Sequence, residues 1–245
     1  SGYLNFFLST AVYTQICAGI IREGDAFGTN ELFEKKKIMI EYTDPNPFKE
    51  FHIGHLYTNM VGESFARLKE ACGAEVKRFN YQGDVGMHVA KSLYGILHCH
   101  DGEKTPPSTP LLGEAWRGLE DRIMFLGKCY AAGTKAYDES EEAKKEMQDI
   151  NKKIYERSDS EIYDLYLTGR KWSLEYFETI YKKLGTKFDF YYFESEVGDE
   201  GKKLVEEYVK KGVFKKSEGA LVFDGEKFGL HTRVFVNSLG LPTYE

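Results

Sequence analysis

The sequence predicts an α/β protein built on a parallel sheet and interrupted by a mostly helical insertion. Three observations predict it. Two strand-compatible runs, Ile38–Tyr42 and Glu75–Tyr81, flank one helix-periodic stretch, which makes a strand–helix–strand unit. Between Asp101 and Pro110 a glycine and three prolines break every pattern. From there to about Leu184 helical spacing dominates, and strand patterns return only afterwards.

Residues 1–37 read as a short mixed segment, with Gly24, Gly28 and the polar run Glu34–Lys37 marking a linker. The start, Ser1-Gly2-Tyr3-Leu4, has no initiator Met and no basic, then apolar, leader. It is expected to be a cut end or a tag scar, not a signal peptide. Ile38–Tyr42 is the first buried-strand candidate. Pro45 and Pro47 then forbid a helix and force an extended loop.

A helix is predicted from about Gly54 to Cys72, with Val61, Phe65, Leu68 and Cys72 as its apolar stripe and Gly73 as its stop. Glu75–Tyr81 is the second strand, followed by Gly83-Asp84-Val85-Gly86 and a helix to about His98. In the insertion, Ala143, Met147, Ile150 and Ile154 make one stripe, and Leu174, Phe177, Tyr181 and Leu184 another. The charged run Glu139–Lys145 reads as a solvated helix face. Phe188–Phe193, Gly219–Phe223 and His231–Val236 are strand candidates, with a helix from about Gly198 to Lys211. The resulting division is 1–37, 38–100, 101–184 and 185–245, the last a continuation of the first α/β unit.

At 245 residues the chain can bury a substantial core, and 42% hydrophobic with 29% charged residues is the composition of a soluble globular protein. Its apolar runs, such as Ala18–Ile21, are too short to span a bilayer, so no membrane is expected. A net charge of −6 argues against a broad nucleic-acid surface on this chain alone. Cys17, Cys72, Cys99 and Cys129 form no Cys-x-x-Cys pair and suit free thiols in a reducing cytoplasm. His98-Cys99-His100-Asp101 holds metal-ligand residue types, but adjacent side chains diverge, so a helix end is expected there and no protein metal site.

The chemistry concentrates in Ile40–Leu56, which ends in His52-Ile53-Gly54-His55 where a strand pattern gives way to a helix pattern. Such a junction in an α/β sheet favours anions, because helix N-terminal amides and the macrodipole both point there. Two imidazoles one turn apart add donors aimed at the same place. A His-x-x-His at a helix start also serves as a cap or a packing feature. Here Gly54 removes a side chain and opens the backbone to a phosphate or adenine.

The stretch Ile40–Leu56 resembles the catalytic core of the class I aminoacyl-tRNA synthetases, specifically the arginyl-tRNA synthetases. Those enzymes carry Glu-(aromatic)-Ser-Ser-Pro-Asn and then His-x-Gly-His, the HIGH motif. Gly2–Phe6 is similar to the end of their N-terminal tRNA-binding domain. Phe79–Gly86 resembles their Asn-Tyr-Leu-Gly-Asp-Trp-Gly, and Phe235–Tyr244 their Ser-x-Gly-x-Pro-Thr-Tyr. Thr43-Asp44 stands for the commoner Ser-Ser, and Val85 for Trp.

The resemblance implies a Rossmann-like core of the nucleotidyl-transferase type. It implies ATP-dependent activation of L-arginine to arginyl-adenylate, with Mg²⁺ accompanying ATP. Transfer to the 2′-hydroxyl of the terminal adenosine of tRNA(Arg) follows, in a cytoplasmic and monomeric full-length enzyme. By the same resemblance, His52 and His55 act in catalysis, and His52, Gly54, His55, Gly83 and Asp84 bind ATP. Glu41, Asp44, Asn46, His55 and Tyr244 bind arginine. Asp84 also suits a simple helix cap. Family members continue into further nucleotide-binding fold, a second signature loop and an anticodon-binding domain, so these 245 residues alone are expected not to charge tRNA. The alternatives are another class I synthetase, a His-x-Gly-His nucleotidyltransferase, or a relic that kept the fold and lost the reaction.

Overall fold

A computed structural model describes residues 2–98 and 118–244. The Asp101–Pro110 break, with Cys99, His100 and Asp101, lies outside the described residues. Helix α1 (Thr10–Glu23) lies within the segment expected to be a mixed linker, and it buries no residue.

Strand β1 (Lys37–Glu41) pairs in parallel with β2 (Glu75–Gln82), placing Ile38 opposite Val76 and Ile40 opposite Arg78. Between them runs α2 (Ile53–Ala71), stopped by Gly73 at φ +89° as the sequence requires. Helix α3 (Met87–His98) follows, then α4 (Leu119–Glu139), α5 (Glu141–Glu156) and α6 (Ser160–Leu184). Strand β3 (Phe190–Phe193) pairs in parallel with β2, so β2 is the middle strand of three. The strand ends Glu41, Gln82 and Phe193 therefore open on one edge of the sheet, the edge where parallel α/β folds bind ligands.

The main core joins α3 to α6. Met147, Ile150 and Ile154 of the expected α5 stripe pack with Leu93, Ile96, Leu126 and Trp172, and the cluster continues into Phe48 and Val85. Those last two belong to the loops after β1 and β2, so the helical block grips the ligand edge of the sheet. Phe177 and Tyr181 of α6 are buried, while Leu174 and Leu184 are part-buried.

Helix α7 (Glu194–Lys210) begins four residues before the expected Gly198, directly after β3. It leads to β4 (Phe214–Ser217), β5 (Ala220–Phe223) and β6 (Arg233–Val236), which make a separate antiparallel sheet in that order. The strand candidates at 219–223 and 231–236 thus do not extend the parallel sheet.

One expectation is corrected. The apolar stripe of α2 does not face the core: Val61, Phe65 and Leu68 are exposed. The buried face carries His55, Asn59, Gly62, Glu63 and Ala66. The reason is specific bonding. Glu63 accepts from Tyr42 Oη at 2.5 Å and from Arg78 Nε at 3.0 Å, and Asn59 Nδ2 donates to Thr43 Oγ1 at 2.8 Å. Polar partners that must be buried and satisfied outrank the stripe's apolar area on this side of the sheet. Among the described residues no helix is long and apolar enough to cross a membrane.

Candidate active site

The loop after β1 is held in a conformation its residues do not prefer. Thr43, Asp44 and Phe48 have φ of +79°, +46° and +68°. A β-branched residue in the left-handed region costs about 1–3 kcal/mol and persists only when its surroundings impose it. They do so here. Thr43 is buried under the Asn59 amide, whose Oδ1 accepts from Thr186 Oγ1 at 3.0 Å. Asp44 Oδ1 accepts the Tyr81 amide at 2.9 Å. The Phe48 amide donates to Ser173 Oγ at 2.9 Å, and its ring is fully buried.

The loop ends at His52, the N-cap of α2. Its Nδ1 accepts the Gly54 amide at 3.1 Å, and the His52 amide donates back to His55 Nδ1 at 3.4 Å. The two rings stack at 3.7 Å between centroids and 18° between planes. A Cβ on Gly54 would lie 2.9 Å from His52 Cε1, so the stacked cap requires glycine there. An Nδ1 that accepts leaves the imidazole proton on Nε2. Both rings therefore carry their N–H donor at Nε2. His55 is buried, and desolvation, with His52 and Lys49 nearby, pushes its pKa down to about 4. It is a neutral donor at physiological pH.

A second group gathers at the ends of β1, β2 and β3. A Cβ on Gly83 would sit 2.6 Å from Asn46 Oδ1 and 3.3 Å from Glu194 Oε2, so the three residues meet at one point. Glu194 is buried, and burial together with the Asp84 charge pushes its pKa up to about 7. Burial also raises Asp44 to about 6, against the Tyr81 amide and with the Glu41 charge. Tyr81 lies among these acids and is pushed up to about 12 by burial and by Glu194, Asp84 and Glu41.

The expected site residues divide between two hollows. Tyr244 lines a cavity of about 290 Å³ with Glu194, Tyr81, Tyr208, Phe214 and Phe235. Glu41 and Asp44 line another of about 480 Å³ against the exposed side of α2. Asn46 and Gly83 meet Glu194, and Tyr81 bridges Asp44 to the Glu194 cavity. Asp84, in contrast, is fully buried and its carboxylate is occupied by protein donors, so it presents nothing to a ligand. Gly83 is fixed instead by His88, whose Nε2–H donates to the Gly83 carbonyl at 2.9 Å. Burial lowers His88 to about 4 and keeps it neutral.

Glu194 is the site residue that sequence reasoning missed. Its signal was present: it is the acid directly after β3, at the same sheet edge where the acid Glu41 ends β1. Reading the helix as starting at Gly198 hid it in a connecting turn.

The chain matches the family described as tRNA synthetases class I (R), catalytic domain, over residues 18–244. It is 31% identical over 245 residues to the arginine–tRNA ligase of Treponema pallidum, covering 99% of this chain and 40% of that protein. It is likewise 31% identical over 224 residues to that of Borreliella afzelii, covering 91% of this chain and 36% of the relative. Its fold is similar to the arginyl-tRNA synthetase of Thermus thermophilus (TM-score 0.61, 24% identity, 99% of this chain and 38% of that one). It is also similar to that of Plasmodium falciparum (TM-score 0.58, 20% identity, 90% and 34%). The chain thus spans well under half the length of the relatives it matches.

Proposed function

The chain belongs to the class I (R) tRNA synthetase catalytic-domain family, and we propose that it carries the arginine-activating site of an arginine–tRNA ligase. The observation that carries this reading is the stacked His52–His55 pair with both Nε2–H donors free of the cap.

In the first step an arginine carboxylate oxygen attacks the α-phosphorus of ATP. The bond from that phosphorus to the bridging oxygen breaks, and pyrophosphate leaves. Negative charge grows on the phosphoryl oxygens, and His52 and His55 donate to them from Nε2. Preorganised neutral donors of this kind need no reorganisation as charge builds up, and no protein nucleophile is required. Mg²⁺ enters as part of the ATP substrate, chelated by its phosphates. In the second step the 2′-hydroxyl of the terminal adenosine of tRNA(Arg) attacks the arginyl carbonyl, and AMP leaves with its oxygen.

Arginine is recognised at the β2–β3 edge. Glu194 is a buried carboxylate without a cation partner among the described residues, in a cavity walled by Tyr81, Tyr208, Phe214, Phe235 and Tyr244. A planar guanidinium offers paired donors for the carboxylate and a face for the aromatic rings. Asn46, with Glu41, Asp44 and His55, serves the α-amino and carboxylate end. Gly54 gives ATP access to the α2 terminus, and Gly83 leaves space between Asn46 and Glu194. In this reading the enzyme is a cytoplasmic monomer.

The test is arginine-dependent ATP–pyrophosphate exchange by the full-length gene product, with and without tRNA. Exchange specific to arginine and lost in His52→Ala or His55→Ala is expected. Exchange with a different amino acid, or none with any even when tRNA is present, overturns the reading.

A further inference from the structure

We propose that Asp84 is a positioning residue, a buried clamp that fixes the β3–α7 junction so that the Glu194 carboxylate is held against Asn46 and Gly83. The functional consequence rests on the arginine-activation reading; the clamp itself does not.

Asp84 follows Gly83 at the end of β2 and is fully buried. Its Oδ1 accepts the Ser195 amide at 2.9 Å. Its Oδ2 accepts Arg170 Nε at 2.6 Å, Ser195 Oγ at 2.7 Å and Tyr166 Oη at 3.0 Å. One carboxylate therefore joins β2, helix α6 and the first turn of α7. A fully buried carboxylate persists only with such a set of donors and a paired cation. The bonds also span sequence separations of 82, 86 and 111 residues, so they close the site's tertiary frame and no local turn.

Arg170 extends the grip. Its guanidinium carbon lies 3.9 Å from the Phe193 ring centroid, and its Nη2 is 3.6 Å from Glu196 Oε1. Of the consecutive residues 193–196, Phe193, Ser195 and Glu196 are thus held by Asp84 or Arg170. Glu194 is the remaining one, and its carboxylate is left for the site. Two fixed neighbours determine where a side chain between them points, and a displacement of about 1 Å is enough to lose a bidentate contact. The Asp84 charge also disfavours a second charge on Glu194 until a cation arrives.

The experiment compares Asp84→Asn and Ser195→Ala with wild type in the full-length gene product. The first readout, without any substrate, is hydrogen exchange of the amides at 193–197. The second is the KM for arginine and for ATP in pyrophosphate exchange. Asp84→Asn is expected to speed exchange at 193–197 and to raise the arginine KM about tenfold or more, leaving the ATP KM within about twofold. Ser195→Ala, which leaves Asp84 paired with Arg170, is expected to shift both readouts the same way by about threefold. It decides the matter if Asp84→Asn does not fold. Wild-type protection at 193–197 in Ser195→Ala refutes the clamp, and so do arginine and ATP KM values that rise together. If wild type catalyses no arginine-dependent exchange, the functional reading falls while hydrogen exchange still judges the clamp.

Discussion

The Tyr81 amide donates to Asp44 Oδ1 across 2.9 Å, tying the strained loop after β1 to the middle strand just before the ligand edge. The bond shows what the position uses, a short side chain with an acceptor. Asp44→Ala leaves the Tyr81 amide without this acceptor and is expected to cost about 1–3 kcal/mol. Asp44→Ser keeps an acceptor and should recover most of that. Chemical denaturation of the three proteins checks it, and equal stability of Ala and Ser variants would rule it out.

Glu194 sets stability against function. Its folded pKa, raised to about 7, lies above the ordinary glutamate value of about 4.3. Between those values the unfolded chain has released a proton that the folded chain still holds, so raising the pH through this window lowers stability. Above about pH 7 the penalty is complete. Glu194→Gln removes the titration, so the variant should be more stable than wild type at pH 8, by about 1–2 kcal/mol, and indistinguishable near pH 4. The same variant should lose arginine binding, because the amide cannot pair with a guanidinium as a carboxylate does. Thermal unfolding at both pH values with an arginine titration decides. A Gln variant that is less stable at pH 8 would contradict the assignment.

The histidines pull the other way. His55 and His88 have folded pKa values lowered to about 4, so the unfolded chain takes up protons first as the pH falls below about 6.5. Their contribution is present above that value and is lost towards pH 4. His88→Gln keeps a donor for the Gly83 carbonyl and removes the charge change. It should therefore lose less stability than wild type between about pH 7 and pH 4. An unchanged pH dependence of unfolding in this variant would show that His88 does not titrate in that window.

Much of the parallel sheet was legible because Ile38-Met39-Ile40 and Glu75–Tyr81 carry their own strand preference, and Gly73 marks its helix end whatever packs nearby. Strand β4 was not legible: Phe214-Lys215-Lys216-Ser217 is short and polar, and it is a strand only because Leu221 and Val222 pair with it. The face of α2 was misread for the complementary reason. Its apolar positions are periodic, but Asn59 and Glu63 find partners in Thr43, Tyr42 and Arg78 that no local pattern reveals. At the site, His52 and His55 announced themselves by spacing. Glu194 and its clamp did not, because Asp84, Arg170 and Ser195 come together only through the fold.

Two glycines separate the requirements of the site from those of the fold. A Cβ at Gly83 would meet Asn46 Oδ1 at 2.6 Å and Glu194 Oε2 at 3.3 Å, so the end of the Asn46 side chain must shift while Glu194 gives by only a few tenths of an ångström. Gly83→Ala should therefore change the unfolding midpoint little and raise the arginine KM about tenfold or more, since it fills the point where Asn46 and Glu194 meet. At Gly62 the new Cβ would lie 2.2 Å from Cγ of Tyr42, a ring that is buried and hydrogen-bonded to Glu63. That ring cannot leave without unpairing Glu63, so Gly62→Ala should cost about 1–3 kcal/mol or more as an overpacked core does. Its arginine KM, measured where it is still folded, should stay near wild type. Finding the reverse, with Gly83→Ala strongly destabilised and its arginine KM near wild type where it is still folded, would mean that Asn46 and Glu194 are braced as parts of the core and that arginine is read elsewhere.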